Sequence, residues 1–326
     1  MLPFAQFDEE LVLSCVEEYS HHTGQTKPFA ITCLDQSTRF PTERFVFVLS
    51  QDEKPQLVLK LDCAPKATRL IKEFKLLQQL EAEFAPEGRL TVIKPLYLSP
   101  HGHFHVTAFA AGKTAKQKIY ADPTPEQARQ VYRRGGEWLH RLHASAPQER
   151  ADIWLNWMLE EVEKHRHPGG IQPCANSLKR YISIMQKDLS RFDHRQGTTA
   201  LSHGDFHGGN LILAQGCSYG LDFTETDTKL AVYDIVDFLK MDIFATAQPD
   251  HIGPDGIRTS SREMFLKTYR HPVDAELLSY CLRGRLLIEW VKISCDAYNS
   301  SAFQRKKFSA LQDRLSKAFA QPLQGS

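Results

Sequence analysis

The stretch LSHGDFHGGNLIL, residues 201–213, sets His203, Asp205, His207 and Asn210 within eight positions. Two chemistries suit these residue types. If the segment is extended, the alternate residues His203, Asp205 and His207 point at one ion and make the ligand set of a zinc or iron hydrolase. If it is a loop, Asp205 and Asn210 belong to the pattern H-G-D-x-x-x-x-N, and Asp222 follows at the end of a short apolar run, in YGLDF. The second arrangement is what phosphoryl transfer requires. The transferred group carries spread negative charge, so one side chain must hold and orient an acceptor hydroxyl while oxygen ligands fix Mg²⁺ against nucleotide phosphates. Asp205 suits the first task, Asn210 and Asp222 the second. The intervening NLILAQGCSYGLDF reads as two strands joined by a turn, and an out-and-back excursion returns both ligands to the same end of a hairpin.

Such a site also needs a cation for the phosphates. LVLK supplies Lys60 at the end of an expected strand, and Glu73 follows thirteen residues later on an expected helix, the arrangement of a strand lysine paired with a helix glutamate. The elements that position them are legible. RFVFVLS and QLVLKLD are apolar, β-rich runs around the polar turn QDEKP, a hairpin signal. Leu70, Phe74, Leu77 and Leu80 recur at helical spacing in KATRLIKEFKLLQQLEAEF. RLTVIKPLYLS and HFHVTAFAAG add two strands around PHGH. From Pro125 the pattern turns helical in PEQARQVYRRGGEWLHRLHA, ADIWLNWMLEEVEKHRH, NSLKRYISIMQKDLSRF and DAELLSYCLRGRLLIEWVKISCDAY. Two loops, HPGGIQPCA and ATAQPDHIGPDGIRTS, interrupt this half, the second closed by SSRE, in which Ser260 and Glu263 fit a capping box. The tail LQGS is expected to fray.

Taken together, HGDFHGGN, GLDF, LVLK with KEF, and YDIVDF resemble the aminoglycoside phosphotransferase and choline kinase family, relatives of the protein kinases, over roughly residues 30–300. The resemblance implies an α+β, bilobal protein-kinase-like fold: residues 1–108 as a small antiparallel β-sheet lobe with one helix, 109–113 as a hinge, and 114–326 as a larger, mainly helical lobe. It implies an ATP- and Mg²⁺-dependent kinase acting on a hydroxyl of a small molecule. Lys60 then meets the nucleotide phosphates and Glu73 orients it, Asp205 is the catalytic base or hydroxyl orienter, and Asn210 and Asp222 hold Mg²⁺. TAFAAGK resembles the family's hinge, which brings backbone groups at Ala108, Phe109 and Ala111 to the adenine. Asp234, in YDIVDF, braces the catalytic loop, as does His203, while His207 is an accessory loop residue. One stretch departs from the pattern: LDQSTRFPTERFVFVL, where a glycine-rich phosphate loop belongs, has no glycine. Hydroxyls of Ser37, Thr38 and Thr42, or the charges of Arg39 and Arg44, are the substitutes at hand. The same departure motivates a second reading, a nucleotide-binding protein without catalysis.

Other residues have plainer readings. His140 and His143 lie three apart on a helix, but core-flanking histidines account for them. Trp154 and Trp157 read as core, with an acceptor pocket as the alternative. Glu225, Asp227, Asp237 and Asp242 suit either a solvated face or a cationic acceptor. The bulk numbers set the outer limits. The chain has 326 residues, 42% of them hydrophobic, enough for two lobes with real cores. Forty basic residues balance thirty-nine acidic ones, and no Lys/Arg run marks nucleic acid or an anionic membrane as a partner. No signal segment or membrane-length apolar window is seen, so a cytoplasmic, soluble protein is expected. The seven cysteines are scattered and read as small buried hydrophobes.

Overall fold

The computed structural model describes residues 7–64, 68–166, 175–245, 247–320 and 322–323. The loop HPGGIQPCA, apart from its last residue, and the last three residues of the tail lie outside them. In chain order the structure runs α1 (Glu9–Thr23), β1 (Ala30–Gln36), β2 (Arg44–Gln51), β3 (Lys54–Asp62), α2 (Arg69–Phe84), β4 (Leu90–Val92), β5 (Pro95–Leu98) and β6 (Phe104–Ala108). It continues with β7 (Lys113–Thr114), α3 (Ala115–Ala121), α4 (Pro125–His143), β8 (Arg150–Asp152), α5 (Asn156–His165), α6 (Ala175–Leu189), β9 (Gln196–Ser202), β10 (Leu211–Leu213) and β11 (Ser218–Gly220). The last elements are β12 (Asp227–Leu230), α7 (Val232–Leu239), α8 (Thr259–Thr268), α9 (Ala275–Val291), α10 (Cys295–Ser300) and α11 (Ala302–Ala318). Contacts divide the chain into two compact units, residues 1–112 with 214–224, and residues 113–213 with 225–326. The short return segment 214–224, which a linear division assigns to the C-terminal half, packs with the first unit because β11 pairs in parallel with β4.

Strand alternation explains the first unit. Its sheet is antiparallel in the order β1-β2-β3-β6-β5. Phe45, Phe47 and Leu49 of β2, Leu59 and Leu61 of β3, and Phe104 and Val106 of β6 form one apolar cluster with Val12, Cys15, Val16 and Tyr19 of α1. The side-chain period of a strand is two, so Lys60, between Leu59 and Leu61, and its register partner His105 lie on the opposite face, where α2 packs. The helix stripe Leu70, Phe74, Leu77, Leu80 and Phe84 is buried as its spacing predicts. The unit has a further helix that the sequence reading does not anticipate. α1 hides its periodicity in acidic company, yet Val12, Cys15, Val16 and Tyr19 make one buried stripe, and Asp8 caps it by accepting from the Leu11 N–H at 3.1 Å. The β2–β3 hairpin turns through Asp52 and Glu53, both at positive φ (50° and 60°), a two-residue loop made here without glycine.

The second unit is mainly helical, with a three-stranded sheet β12-β9-β8. That sheet is absent from the sequence reading. ADIWLNWM was read as the start of a helix, but Ala151 and Asp152 pair with Gly197 and Gln196, and α5 begins only at Asn156. SSRE is likewise not a capping box. Ser260 and Glu263 lie inside α8, whose N-cap is Arg258 with no side-chain cap, and the Asp242 carboxylate accepts from Arg258 N–H at 2.9 Å and Ser261 Oγ at 2.7 Å. No helix among the described residues is long and apolar enough to cross a membrane. Of the cysteines, only Cys15 and Cys281 are buried, and Cys63 is exposed, so the expectation of uniformly buried thiols holds for two of those described.

Gly136 lets α4 and α8 approach closely, while its neighbour Gly135 faces Phe238 of α7. A Cβ built on Gly136 sits 2.3 Å from the Phe265 carbonyl oxygen and 2.6 Å from Thr268 Oγ1. Helix propensity alone favours Ala over Gly by about 1 kcal/mol, whereas overpacking a fixed backbone costs about 1–3 kcal/mol. Gly136→Ala is therefore expected to lower stability in urea unfolding, and a gain would show that the two helices separate freely.

Candidate active site

In the first unit three charged groups converge through Glu73, which is 1% exposed. Its Oε1 accepts from Lys60 Nζ at 2.6 Å and from the Phe223 N–H at 3.1 Å, and its Oε2 meets His105 Nε2 at 3.1 Å. Lys60 Nζ also donates to Asp222 Oδ1 at 2.9 Å. Strand β3, helix α2 and the segment after β11 thus bring Lys60, Glu73 and Asp222 together, as their order along the chain predicts. Burial works to lower the Lys60 pKa, but the Asp222 and Glu73 carboxylates outweigh it and hold the amine above its usual value. Burial likewise works to raise Glu73, and Lys60 with His105 overrides it, leaving the carboxyl far below its usual range. Asp222 is lowered in the same way, Lys60 outweighing desolvation. One ammonium against two carboxylates leaves an excess negative charge. Thr224 Oγ1 and Lys60 both bond to Asp222 Oδ1, so Oδ2 has no protein partner among the described residues. Asp222 itself sits at φ 57°, a left-handed conformation that aspartate tolerates better than most residues. His105 has no counterpart in the sequence reading; its signal was register, since it stands opposite Lys60 on β6.

The second unit holds the HGDFHGGN loop. Asp234, on α7, accepts from the backbone N–H of His203 at 2.7 Å and of Gly204 at 3.0 Å, so the loop is fastened at its first two residues. His143 Nε2 bonds to Asp234 Oδ2 at 3.0 Å and its Nδ1 lies 2.8 Å from Tyr269 Oη. With Asp234 accepting, the ring donates from Nε2, and Nδ1 pairs with the tyrosine hydroxyl. Burial works to raise the Asp234 pKa, and His143 leads the contacts that override it and lower the carboxyl. Gly204 takes φ 81°, and a Cβ there would fall 2.0 Å from the Glu225 carbonyl oxygen. Phe206 anchors the middle of the loop, stacked on Trp138 at 5.2 Å and on Phe238 at 4.9 Å.

Between these anchors Asp205 keeps a carboxylate 44% exposed. Its carbonyl oxygen accepts from Asn210 Nδ2 at 2.9 Å and from His207 N–H at 2.8 Å. His207 Nε2 stands 3.6 Å from Asp205 Oδ2, and its Nδ1 accepts from Gly209 N–H at 2.9 Å. Burial keeps the His207 pKa below its usual value although Asp205 pulls the other way.

Several expected sites fall differently. His203 is fully buried with its ring against Trp138 and Phe206, and no group of three His, Cys, Asp or Glu placed to hold a metal is found among the described residues. That removes the donor set of the hydrolase reading. Ser37 Oγ accepts from Phe40 N–H at 3.1 Å, and Arg44 lies 3.9 Å over the Phe40 ring and 3.4 Å from Asp62, so both are engaged in shaping the β1–β2 loop. The amide hydrogens of Ala108 and Phe109 are taken by the Lys94 and Gln56 carbonyls, while Ala111 is exposed. Ala108, Phe109 and Ala110 line a cavity of about 430 Å³ with Phe84, Leu90 and Tyr219. Asp242 is a buried ion partner of Arg258 and Arg314, and Asp237 is held by Lys240 and Arg285, so neither offers a free carboxylate to a cationic acceptor. Trp154 is 58% exposed, so the core reading fails there.

A model of the phosphotransferase enzyme family matches residues 42–277, well over half of the chain. The chain belongs to that family. No curated protein sequence matches the phosphotransferase. Among solved structures it is similar to spectinomycin phosphotransferase APH(9)-Ia in complex with ADP and spectinomycin, at 14% identity, covering 94% of this chain and 97% of that one, with a TM-score of 0.59. It is also similar to a choline/ethanolamine kinase family protein from Mesorhizobium loti (15% identity, 95% and 98% covered, TM-score 0.58). Choline kinase LicA from Streptococcus pneumoniae gives 14% identity, 95% and 99% covered, and a TM-score of 0.58. At these identities the likeness establishes the fold, an α+β protein-kinase-like architecture with an antiparallel-sheet part and a helical part.

The phosphotransferase's Glu73 titration has a defined sign. Its folded pKa is depressed from 4.5, so its contribution to stability is complete above that pH and is lost as the pH falls toward the folded value. Glu73→Gln is expected to lose about 3 kcal/mol near pH 7. In urea unfolding, that deficit should shrink below the usual carboxylate range, and a deficit constant with pH would show that Glu73 does not owe its role to charge.

Proposed function

We propose that this phosphotransferase transfers the γ-phosphoryl group of ATP to a hydroxyl of a small molecule with Mg²⁺ as its cofactor. The observation that carries this reading is the charge balance at Asp222: a lysine shared by two carboxylates, with one carboxylate oxygen left over for a hard cation. Asn210 would offer its amide oxygen as a second ligand, since its amide nitrogen donates to the Asp205 carbonyl. Asn210 and Asp222 would hold Mg²⁺, which when bound would supply charge neutralisation for the nucleotide phosphates. Lys60, kept charged by its carboxylate partners, meets phosphate oxygens, and Glu73 holds Lys60 in place. Asp205 accepts the hydrogen bond of the acceptor hydroxyl, directs its oxygen along the line of attack and takes its proton as the new O–P bond forms and the bond to the ADP oxygen breaks. Adenine contact falls to the Ala110–Ala111 end of the expected hinge, because the amide hydrogens of Ala108 and Phe109 are spent. Solved relatives of the same fold carry ADP or AMP-PNP, which supports a nucleotide here.

A second reading, nucleotide binding without transfer, is favoured by one observation: the glycine-free β1–β2 loop commits Ser37 and Arg44 to its own structure. Turnover separates the two. With Mg²⁺ and ATP, a screen of hydroxylated metabolites is expected to yield ADP with at least one acceptor. Asp205→Ala should cut kcat by about 10³-fold or more while nucleotide binding stays measurable, and Asp222→Ala should raise the Mg²⁺ requirement steeply. Undiminished turnover in Asp205→Ala removes that residue from the chemistry, and no ADP with any acceptor supports the non-catalytic reading.

A further inference from the structure

Beside the HGDFHGGN loop the second unit contains a cavity of about 160 Å³ whose walls include Lys116, His207, Asp237, Lys240, Glu289 and Lys307. At roughly 30 Å³ per water, that is room for about five water-sized groups. The ion pairing of its walls is uneven. Asp237 is 2.8 Å from Lys240 and 2.7 Å from Arg285, and Glu289 is 2.6 Å from Lys307 and 3.7 Å from Lys240. Each carboxylate is already shared by two cations. Among the described residues the Lys116 amine has no carboxylate within ion-pair distance, and it lies over the rings of Tyr120, at 5.8 Å, and Phe244, at 6.0 Å. An ammonium entering this cavity meets no uncommitted carboxylate, whereas an anion meets an uncommitted cation.

Position connects the cavity to the chemistry. His207 forms part of its wall and stands 3.6 Å from the Asp205 carboxylate. Gly208, also in the wall, is held by its carbonyl to the Lys116 N–H at 2.8 Å, and a Cβ there would fall 2.3 Å from Met241 Sδ. The floor of the cavity and the loop carrying Asp205 are therefore one packed piece.

We propose that this cavity binds an anionic group, a carboxylate or a phosphate, on the acceptor, so that the acceptor is a small hydroxylated acid or phosphate ester with its reactive hydroxyl a few bonds from the charge. This rests on the reading of Asp205 as the hydroxyl-orienting group. Lys116 is the specificity-determining residue, and the Phe244 ring in the same wall covers the carbon skeleton next to the anion. The direction of the Lys116 pKa agrees: desolvation first, then Lys307 and Lys240, lower it, and the Glu289 carboxylate, which pulls the other way, does not outweigh them.

Lysine acetylation by N-hydroxysuccinimidyl acetate, mapped by mass spectrometry, tests the site without turnover. Lys116 should acetylate at least fivefold more slowly in saturating D-glycerate or inorganic phosphate, and at an unchanged rate in glycerol or serinol. Protection by glycerate alone assigns the cavity to a carboxylate, and protection by phosphate alone to a phosphate. Equal rates in all four probes, or protection by the cationic serinol, overturn the proposal. Steady-state assays add the second arm: for the best anionic acceptor Lys116→Ala should raise KM for that acceptor at least tenfold with little change in kcat. ADP formation only with cationic acceptors, together with no protection, leaves the kinase reading intact and sinks the anion site. Protection without any ADP formation keeps the anion site and sinks the kinase reading.

Discussion

A buried carboxylate that binds both a lysine and a main-chain amide is the constraint on which the first unit turns. Glu73 reaches across from α2 to Lys60 on β3 and to the Phe223 N–H beside Asp222. Removing a carboxylate from water is unfavourable unless its lone pairs are met, and here both oxygens have partners, with His105 taking the second. The result is that a helix, a strand and a short return segment hold one geometry. Lys60 is locked by charge on one side and by the pleat of the sheet on the other, and Asp222 is fixed next to it at a backbone angle that few residues adopt.

The second unit repeats the device with different parts. Asp234 is buried, receives two backbone N–H groups from the start of the HGDFHGGN loop, and is oriented by His143, itself bonded to Tyr269. In both units a carboxylate that never meets solvent grips the backbone beside an aspartate that does. Such satisfied polar networks rigidify their surroundings because breaking any member leaves a buried group unpaired. Phe206 completes the effect, its ring held in a stack between Trp138 and Phe238 while the neighbouring Asp205 carboxylate stays open.

Against this rigidity stands the β1–β2 loop, which lacks the glycines that allow a backbone to approach phosphates closely. Its polar residues are turned inward to the loop itself: Ser37 caps Phe40, and Arg44 is shared between the Phe40 ring and Asp62. Charge in the second unit is distributed just as specifically. The acids that looked available for a cationic acceptor, Asp237 and Asp242, are consumed by arginines and a lysine drawn from the residue before α8, from α9, from α11 and from the turn after α7. Local sequence registers that an acid is present, and only the folded chain shows what it is paired with.

The sequence by itself determined the family, the α+β class, the strand and helix that carry Lys60 and Glu73, and the loop that carries Asp205 and Asn210, because each is written in short-range spacing: period two for β3, three and four for α2, and fixed intervals in H-G-D-x-x-x-x-N. Tertiary structure decided what depends on distant partners. α1 became a helix over the sheet because its sparse apolar stripe had a face to cover, β8 became a strand because β9 lay beside it, and Ser260 fell inside α8, whose start is held to Asp242 through the Arg258 N–H. His105, Tyr269 and Lys116 acquired their places in the same way, since a hydrogen bond or an unpaired charge is a property of two groups in space, and a one-dimensional pattern records only one of them at a time.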